Sequence, residues 1–145
     1  MHIKITAINF GGSLTNGPGV RTLIFLQGCH IKCEGCHNQS TWDKDCGIKY
    51  DAKELVDEIE AKAKNRKVTI TGGEPFFQTE AVMELVRRLH GYGFDLCLYT
   101  GSNLNEVPQE ILQYLKYIKV GKYKQALRTT TMPYIGSTNQ EFIKL

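Results

Sequence analysis

The sequence predicts an α/β fold in which parallel strands form an open sheet, because short apolar runs alternate with amphipathic segments of helical length. Residues 22–26 are a continuous apolar run typical of a buried strand, and residues 68–71 and 94–100 are also predicted strands. A closed eight-stranded barrel takes about 250 residues, whereas this chain has 145. The chain can therefore form an open portion of such a barrel or a small doubly wound sheet, and its length fits one domain over residues 1–145.

Local sequence patterns place the remaining elements along the chain. Residues 51–64 predict a helix, because a capping box that starts at Asp51 precedes an apolar stripe. The next predicted helix begins near Thr79 and ends at Gly91 or Gly93, since glycine favours helix C-termini. The other predicted elements are a strand at 3–9, a glycine-rich loop at 11–19, a helix at 106–116, a strand at 117–120 and a tail short of regular structure.

Composition excludes several classes of protein. Hydrophobic residues at 41% and charged residues at 23% are ordinary globular values, which argue against disorder and coiled coils. No apolar run approaches the roughly 18 residues of a membrane helix, and the alternating N-terminal segment is unlike a signal peptide. We therefore expect a cytoplasmic protein that has no membrane partner.

The positive charge is concentrated near the C-terminus. The net charge is +3, and residues 116–145 carry six basic residues against Glu141 alone. Such a segment can dock an acidic partner, although a solvated surface is its commonest role. It lacks the interleaved aromatic residues of a nucleic-acid interface, so we expect no nucleic-acid partner.

Three of the five cysteines lie in one loop directly after the first apolar run. Cys29, Cys33 and Cys36 have the spacing C-x3-C-x2-C, which brings three thiolates within reach of one metal centre. A cytoplasmic chain is not expected to use them in disulfides, because that compartment keeps thiols reduced. Soft thiolates select zinc or an iron-sulfur cluster.

Three kinds of metal site fit these cysteines. A structural zinc site needs a fourth ligand, which Cys46 or His37 could supply. A saturated electron-transfer cluster also needs a fourth donor, and its usual cysteine spacing differs from this one. A four-iron cluster held by three cysteines leaves one iron open to a substrate or cofactor, by the logic of three-ligand catalytic zinc sites. The spacing favours this third arrangement.

A second motif follows the next predicted strand. Gly72, Gly73 and Glu74 come directly after residues 68–71, and the carboxyl ends of parallel strands share one edge of the sheet. Glycines let the backbone approach a ligand closely, and carbonyls beside a carboxylate suit a cationic amino group. A glycine pair alone is more often only a turn. Its place one strand after the cysteines predicts a cofactor contact.

Together these motifs resemble the radical S-adenosylmethionine superfamily. The blocks at 16–21, 25–29 and 36–43 are similar to those of activases of glycyl-radical enzymes. The short chain and the motif Gly136-Ser137-Thr138-Asn139-Gln140 most resemble activases of the anaerobic ribonucleoside-triphosphate reductase. The resemblance covers residues 15–140 and implies a shortened, open partial (β/α) barrel of the radical S-adenosylmethionine type.

The resemblance also implies a reaction and its partners. Cys29, Cys33 and Cys36 would hold a [4Fe-4S] cluster whose fourth iron is chelated by S-adenosylmethionine. One-electron cleavage would give a 5'-deoxyadenosyl radical that takes hydrogen from a glycine of the anaerobic ribonucleotide reductase, chemistry that belongs to a cofactor. A flavodoxin or ferredoxin type protein would supply the electron. The alternatives are a pyruvate formate-lyase type target, a small-molecule substrate as in deazaguanine biosynthesis, or a zinc or electron-transfer module without enzymatic activity.

Two positions depart from the pattern of the superfamily. The residues expected to contact the cofactor are Gly35, Cys36, His37, Gly72, Gly73, Glu74 and Thr100. Gly35 stands where many members carry an aromatic residue near the adenine, which leaves only backbone contacts. Val120 stands where relatives often carry an acidic residue before a glycine, so a carboxylate contact to ribose from this strand is in doubt. We expect the nearby Lys119 and Lys122 to be solvent-exposed.

Four other residues are considered for structural roles. Cys97 lies in an apolar strand and is expected to be buried packing. Trp42 is expected to anchor the loop after the cysteines by packing. Arg21 can either steer a carboxylate or hold the glycine-rich loop, and the sequence leaves both roles open. Cys46 has no spacing partner and no assigned role.

Overall fold

A computed structural model describes residues 1–29, 31, 35–36, 39–43 and 45–145. Its strands are β1 (His2–Ser13), β2 (Arg21–Leu26), β3 (Ile48–Asp51), β4 (Lys67–Gly72), β5 (Asp95–Tyr99), β6 (Tyr117–Val120) and β7 (Glu141–Lys144). Its helices are α1 (Ala52–Lys62), α2 (Thr79–Gly91) and α3 (Gln109–Leu112). The described strands form one sheet in the order β3-β1-β2-β4-β5-β6-β7.

The centre of the sheet is parallel and its edges are antiparallel. Strands β2, β4, β5 and β6 run in the same direction, and Leu26 at the end of β2 lies opposite Gly72 at the end of β4. Strand β1 pairs antiparallel with β2 and β3, and β7 pairs antiparallel with β6. The prediction of an open α/β sheet is confirmed, whereas the expectation of parallel strands throughout is wrong at both edges.

Two edge strands were not predicted from the sequence. Strand β3 lies in the segment before α1, and β7 lies in the tail that was expected to be short of regular structure. Each has four residues, too few to give a clear alternation of polar and apolar side chains. Their conformation depends on pairing with β1 and β6, which is not visible in a local sequence window.

The third helix is much shorter than predicted. The sequence pattern indicated 106–116, but α3 spans only Gln109–Leu112. Pro108 accounts for the late start of the helix, because a proline disfavours helical geometry in the residue before it, and Val107 is extended with φ −72° and ψ 133°. The first two helices begin and end within two residues of their predicted limits. Within the described residues, none of the helices has the length and apolar character needed to cross a bilayer.

Helices α1 and α2 pack their apolar stripes on one face of the sheet. Asp51 caps α1 by accepting a hydrogen bond from the backbone N–H of Glu54. Burying each large apolar side chain of this layer contributes roughly 1.5–3 kcal/mol. The side chains of the layer include Ile24, Leu26, Leu55, Val56, Ile59, Ile70, Val82, Leu85, Val86, Leu89, Leu96 and Leu98.

The opposite face of the sheet is polar and aromatic. Because side chains alternate along a strand, Thr69, Cys97 and Tyr99 point away from the helices. The Thr69 hydroxyl donates to the carbonyl of Asn16 in the glycine-rich loop at 2.6 Å. Phe142 on β7 packs edge-on to Tyr99. This face is therefore contacted by loop and tail rather than by α1 and α2.

Arg21 lies completely buried on the polar face and holds the glycine-rich loop. Its Nη1 group donates to the carbonyl of Pro18 at 2.9 Å, and its Nε group donates to the Thr69 hydroxyl at 2.8 Å. Its Nη2 group donates to the Asp95 carboxylate at 2.7 Å. Of the two roles that the sequence left open, the structure supports the second.

Candidate functional site

A pocket at the carboxyl ends of β2, β4 and β5 brings the two sequence motifs together. Six residues expected from the sequence line it: Cys29, Cys36, Gly72, Gly73, Glu74 and Thr100. Cys29 and Cys36 are both half-buried. The two motifs are about 40 residues apart in the chain, and they meet because β2 and β4 are parallel neighbours.

The structure does not test every expected contact, and Gly35 is the described expected residue that is not in this lining. Cys33 and His37 lie outside the described residues. Gly35 has φ +71° and packs beside Gln125, where an added Cβ would lie 2.8 Å from the Gln125 side chain. Because the backbone conformation at Gly35 disfavours any L side chain, the glycine has a local structural reason to replace the aromatic residue of other members.

The base of the cysteine loop is closed by hydrogen bonds that need no metal. The backbone N–H of Gly28 donates to the carbonyl of Thr41, and that of Cys29 donates to the carbonyl of Trp42 at 3.2 Å. The buried side chain of Gln27 donates to the carbonyl of Asp43 at 2.6 Å. These bonds join the segment just before the cysteine loop to residues 41–43 just after it. They therefore restrict the position of Cys29.

No role is predicted for Gln27 from the sequence, although its position at the end of an apolar strand indicates a structural one. It is a polar residue at the end of an apolar strand and is 2% exposed. Its Oε1 atom accepts a hydrogen bond from the Thr6 hydroxyl, while its Nε2 group bonds the segment after the cysteines. A buried amide is stable only when it is hydrogen-bonded, so such a residue beside a motif is a candidate for positioning it.

The glycine pair lets β4 end against the start of the cysteine loop. An added Cβ at Gly73 would collide with the carbonyl oxygen of Gly28, and one at Gly72 would lie 2.6 Å from the backbone nitrogen of Leu26. The backbone N–H of Gly73 donates to the carbonyl of Leu26 at 2.8 Å, and that of Glu74 donates to Gly28 at 2.9 Å. The close approach expected at these glycines is therefore an approach to the protein's own backbone, which brings both motifs to the pocket.

Glu74 is a buried carboxylate that joins the ends of β4 and β5. It is 2% exposed and accepts hydrogen bonds from the Thr100 hydroxyl at 2.8 Å, the Gly101 N–H at 2.8 Å and the Phe76 N–H at 2.9 Å. A carboxylate has about four acceptor positions. These three donors leave about one position for a donor from a ligand. Thr100 also accepts from the N–H of Ser102, so its hydroxyl is already engaged at both ends.

Tyr99 and Lys119 form a part of the wall that the sequence analysis missed. The ammonium group of Lys119 lies 4.5 Å above the Tyr99 ring, so Lys119 is half-buried rather than solvent-exposed as expected. The buried Tyr99 hydroxyl has no hydrogen-bond partner among the described residues. Burial raises the pKa of this phenol well above its usual value, so the group remains a hydrogen-bond donor. Tyr99 lines the pocket, but its hydroxyl oxygen is buried and is not exposed to a ligand in this structure.

The donor set of the pocket fits an iron-sulfur cluster held by the loop cysteines. Cys29 and Cys36 present soft sulfur ligands to the same space. Cys46 is exposed, and its thiol donates a hydrogen bond to the Asp43 carboxylate at 3.2 Å. That contact raises the pKa of Cys46 and favours its protonated form, which is not a metal ligand. Cys46 is not among the described residues that line the pocket.

Cys97 is fully buried, as expected, and burial raises the pKa of its thiol to about 12. Only the thiolate reacts with an alkylating reagent. We expect Cys97 in the folded protein at pH 8 to react with iodoacetamide at least about 100-fold more slowly than in urea, as followed by peptide mass spectrometry. Exposed Cys46 is the internal control for reagent activity. Equal rates for Cys97 in the two states would contradict its burial.

Comparison with known proteins gives matches over most of the chain. Residues 15–143 match the family described as a 4Fe-4S single cluster domain. The anaerobic ribonucleoside-triphosphate reductase-activating protein of Vibrio cholerae is 34% identical over 139 residues, which cover 88% of this chain and 89% of the relative. The protein of the same name from Enterobacteria phage T4 is 36% identical over 133 residues, which cover 86% of this chain and 84% of the relative.

Comparison with solved structures supports the fold described above. The crystal structure of QueE from Escherichia coli matches with a TM-score of 0.60 and 22% sequence identity, over 81% of this chain and 69% of that chain. This likeness supports the open α/β sheet. The family resemblance that the sequence motifs indicated is confirmed by the sequence relatives. By its match to the cluster domain and its identity to these relatives, the chain belongs to the family of anaerobic ribonucleoside-triphosphate reductase-activating proteins.

Proposed function

We propose that this protein is a radical S-adenosylmethionine enzyme that generates a glycyl radical on the anaerobic ribonucleoside-triphosphate reductase. The observation that carries the proposal is the pocket in which Cys29 and Cys36 meet the motif Gly72–Glu74. A [4Fe-4S] cluster and S-adenosylmethionine are the proposed cofactors, and Cys33 is the proposed third cysteine ligand. The names of the relatives supply the proposed protein substrate.

The proposed cofactors supply a carbon-centred radical that can remove hydrogen from a glycine Cα, which no protein side chain can do. The chain positions them. Cys29 and Cys36 bind iron, and the hydrogen bonds at Gly28 and Gln27 fix the loop that carries them. The remaining acceptor position of Glu74 suits the ammonium group of the methionine moiety.

The shape of the sheet supports a polypeptide substrate. We assign the fold as a shortened partial (β/α) barrel over residues 1–145, with α1 and α2 outside and the face of Tyr99 inside. The sheet is open, since β3 and β7 are its two edges and are not paired with each other among the described strands. An open side gives a loop of another protein access to the pocket.

The proposal includes an electron donor and a location. A flavodoxin or ferredoxin type protein would reduce the cluster, and no membrane or nucleic-acid partner is needed for the reaction. A cytoplasmic location is consistent with cysteines that must stay reduced in order to hold iron. His37 and Gly35 remain proposed cofactor contacts beside the cluster.

Anaerobic reconstitution tests the proposed function. The protein should bind about four irons per chain, as a single [4Fe-4S] cluster requires. On reduction with S-adenosylmethionine it should release 5'-deoxyadenosine, and with the cognate reductase it should give a glycyl-radical signal by electron paramagnetic resonance. A colourless protein with one tightly bound zinc would refute the enzyme assignment. Release of 5'-deoxyadenosine without a radical on the reductase would instead favour another target, of the pyruvate formate-lyase type or a small molecule.

A further inference from the structure

The motif Gly136–Gln140, which we call the tail motif, has no role in the chemistry proposed above. Two of its side chains are nevertheless buried and hydrogen-bonded. Ser137 is completely buried and Gln140 is 5% exposed. The Gln140 Oε1 atom accepts hydrogen bonds from the N–H groups of Gly136 at 2.8 Å and Ser137 at 3.2 Å, which closes the motif into a turn. Polar side chains are buried only where they are hydrogen-bonded, so the burial of Ser137 and Gln140 indicates that the motif has a structural role.

The tail motif holds residues 121–124, which we call the lysine segment. The Gln140 Nε2 group donates to the carbonyl of Gly121 at 3.1 Å, and the Asn139 Nδ2 group donates to the carbonyl of Lys122 at 2.8 Å. The N–H of Lys124 donates to the Ser137 hydroxyl at 3.2 Å. Three side chains of the motif thus bind the backbone of three of the four residues of the lysine segment, so the segment has a defined course beyond the end of β6.

The lysine segment presents two cations beside the cysteine pocket. Lys122 and Lys124 are exposed and line a second pocket of about 420 Å³. This pocket adjoins the cysteine pocket, because Ile31 and Gly101 line both. Neither lysine forms an ion pair with a described residue. Glu106 is the acidic residue of the lining, and it accepts a hydrogen bond from the N–H of Asn103.

We propose that Lys122 and Lys124 form a docking contact for an acidic segment of the protein substrate, an inference that rests on the proposed function. Charge complementarity favours this occupant, because two unpaired cations stand at the rim through which a polypeptide would reach the cysteines. The wider segment 116–145 is also basic, whereas the rest of the chain is slightly acidic. Complementary charge at a rim chiefly raises the association rate and orients the partner.

Charge reversal at the two lysines tests the docking contact. The double variant Lys122→Glu/Lys124→Glu should associate with the cognate reductase at least about tenfold more slowly at low salt, as measured anaerobically by biolayer interferometry. Its difference from the unmodified protein should shrink as ionic strength rises from about 0.05 to about 0.5 M, because salt screens exposed charges. Iron content and the release of 5'-deoxyadenosine without reductase should be unchanged.

Lys53→Glu/Lys64→Glu is the matched control, because it makes the same change in net charge at exposed lysines, one in α1 and one just after it. This control should associate with the reductase at nearly the rate of the unmodified protein. Asn139→Ala removes the bond to the Lys122 carbonyl without changing charge and should give a smaller loss of association.

Two results would overturn the docking contact. Equal association of the two charge-reversal variants would show that the position of the lysines does not matter. Loss of 5'-deoxyadenosine release with unchanged association would assign the lysines to the cofactor instead. A failure of the proposed function is distinguishable from both, because the unmodified protein would then produce no glycyl radical on the reductase.

Discussion

Cys29→Ser is expected to lose nearly all bound iron and all release of 5'-deoxyadenosine, whereas Cys46→Ser retains both. The reason is the position of the two thiols. Cys29 lines the pocket and its backbone is fixed by the bond to Trp42, while Cys46 is exposed and hydrogen-bonded to Asp43. A serine hydroxyl is a hard oxygen donor that replaces thiolate poorly at iron-sulfur clusters.

Iron per chain and the visible absorbance of the reconstituted proteins measure this result. Circular dichroism of the metal-free variants should match that of the unmodified protein, since Cys29 is not part of the apolar layer. Comparable iron loss in Cys46→Ser would indicate a site with four cysteines. Such a site would leave no open iron for S-adenosylmethionine, and the proposed reaction would be excluded.

The sequence was sufficient to predict the elements whose formation is local. Apolar periodicity agrees with the buried faces of the strands β2, β4 and β5 and of the helices α1 and α2. These elements lie close to their predicted limits. The meeting of the cysteines with the Gly-Gly-Glu motif was also predictable, because parallel strands place their following loops at one edge.

Features that depend on distant pairing were not predictable. Strand β7 exists because Phe142 and Ile143 lie opposite Lys119 and Ile118 of β6, a partner that a four-residue pattern does not identify. The late start of α3 follows from Pro108, which disfavours helical geometry in the preceding residue and is visible in the sequence itself. The information that specifies β7 is therefore not local, whereas the proline that delays α3 is a local feature of the sequence.

The same distinction holds within the candidate site. Residue types that bind metals or form tight turns could be picked out from the sequence, as for Cys29 and Gly73. Gln27 and Gln140 act through buried hydrogen bonds, and Tyr99 acts through its burial in the pocket wall, and both arise only when separate segments pack together. A glutamine or tyrosine has many ordinary roles, so its identity alone carries little information.

Arg21→Met is expected to lower the free energy of unfolding by about 3–5 kcal/mol, a large part of the roughly 5–15 kcal/mol that stabilises a typical domain. The substitution removes a buried cation that bonds the Asp95 carboxylate, the Thr69 hydroxyl and the Pro18 carbonyl. Methionine can fill the space but donates no hydrogen bond, so these acceptors lose their partner. Lys116 lies 3.7 Å from the Asp95 carboxylate and limits the loss without replacing the bonds to the loop.

Arg66→Met is the matched control, because Arg66 also pairs with a carboxylate, that of Glu60, but on the surface. Its side chain is 54% exposed, against 0% for Arg21. We expect its loss to be about 1 kcal/mol or less, since exposed ion pairs contribute little. Urea unfolding of the metal-free proteins, followed by circular dichroism, measures both values.

Arg21→Lys separates charge from geometry in the same experiment. Lysine keeps the cation, but its single ammonium group lacks the planar fork that binds a loop carbonyl, a hydroxyl and a carboxylate at once. An intermediate loss of stability is therefore expected, with faster proteolytic cleavage of residues 14–20, because the bond to Pro18 is no longer made. If Arg21→Met instead destabilises the protein no more than Arg66→Met, the glycine-rich loop must be held by contacts other than those of Arg21.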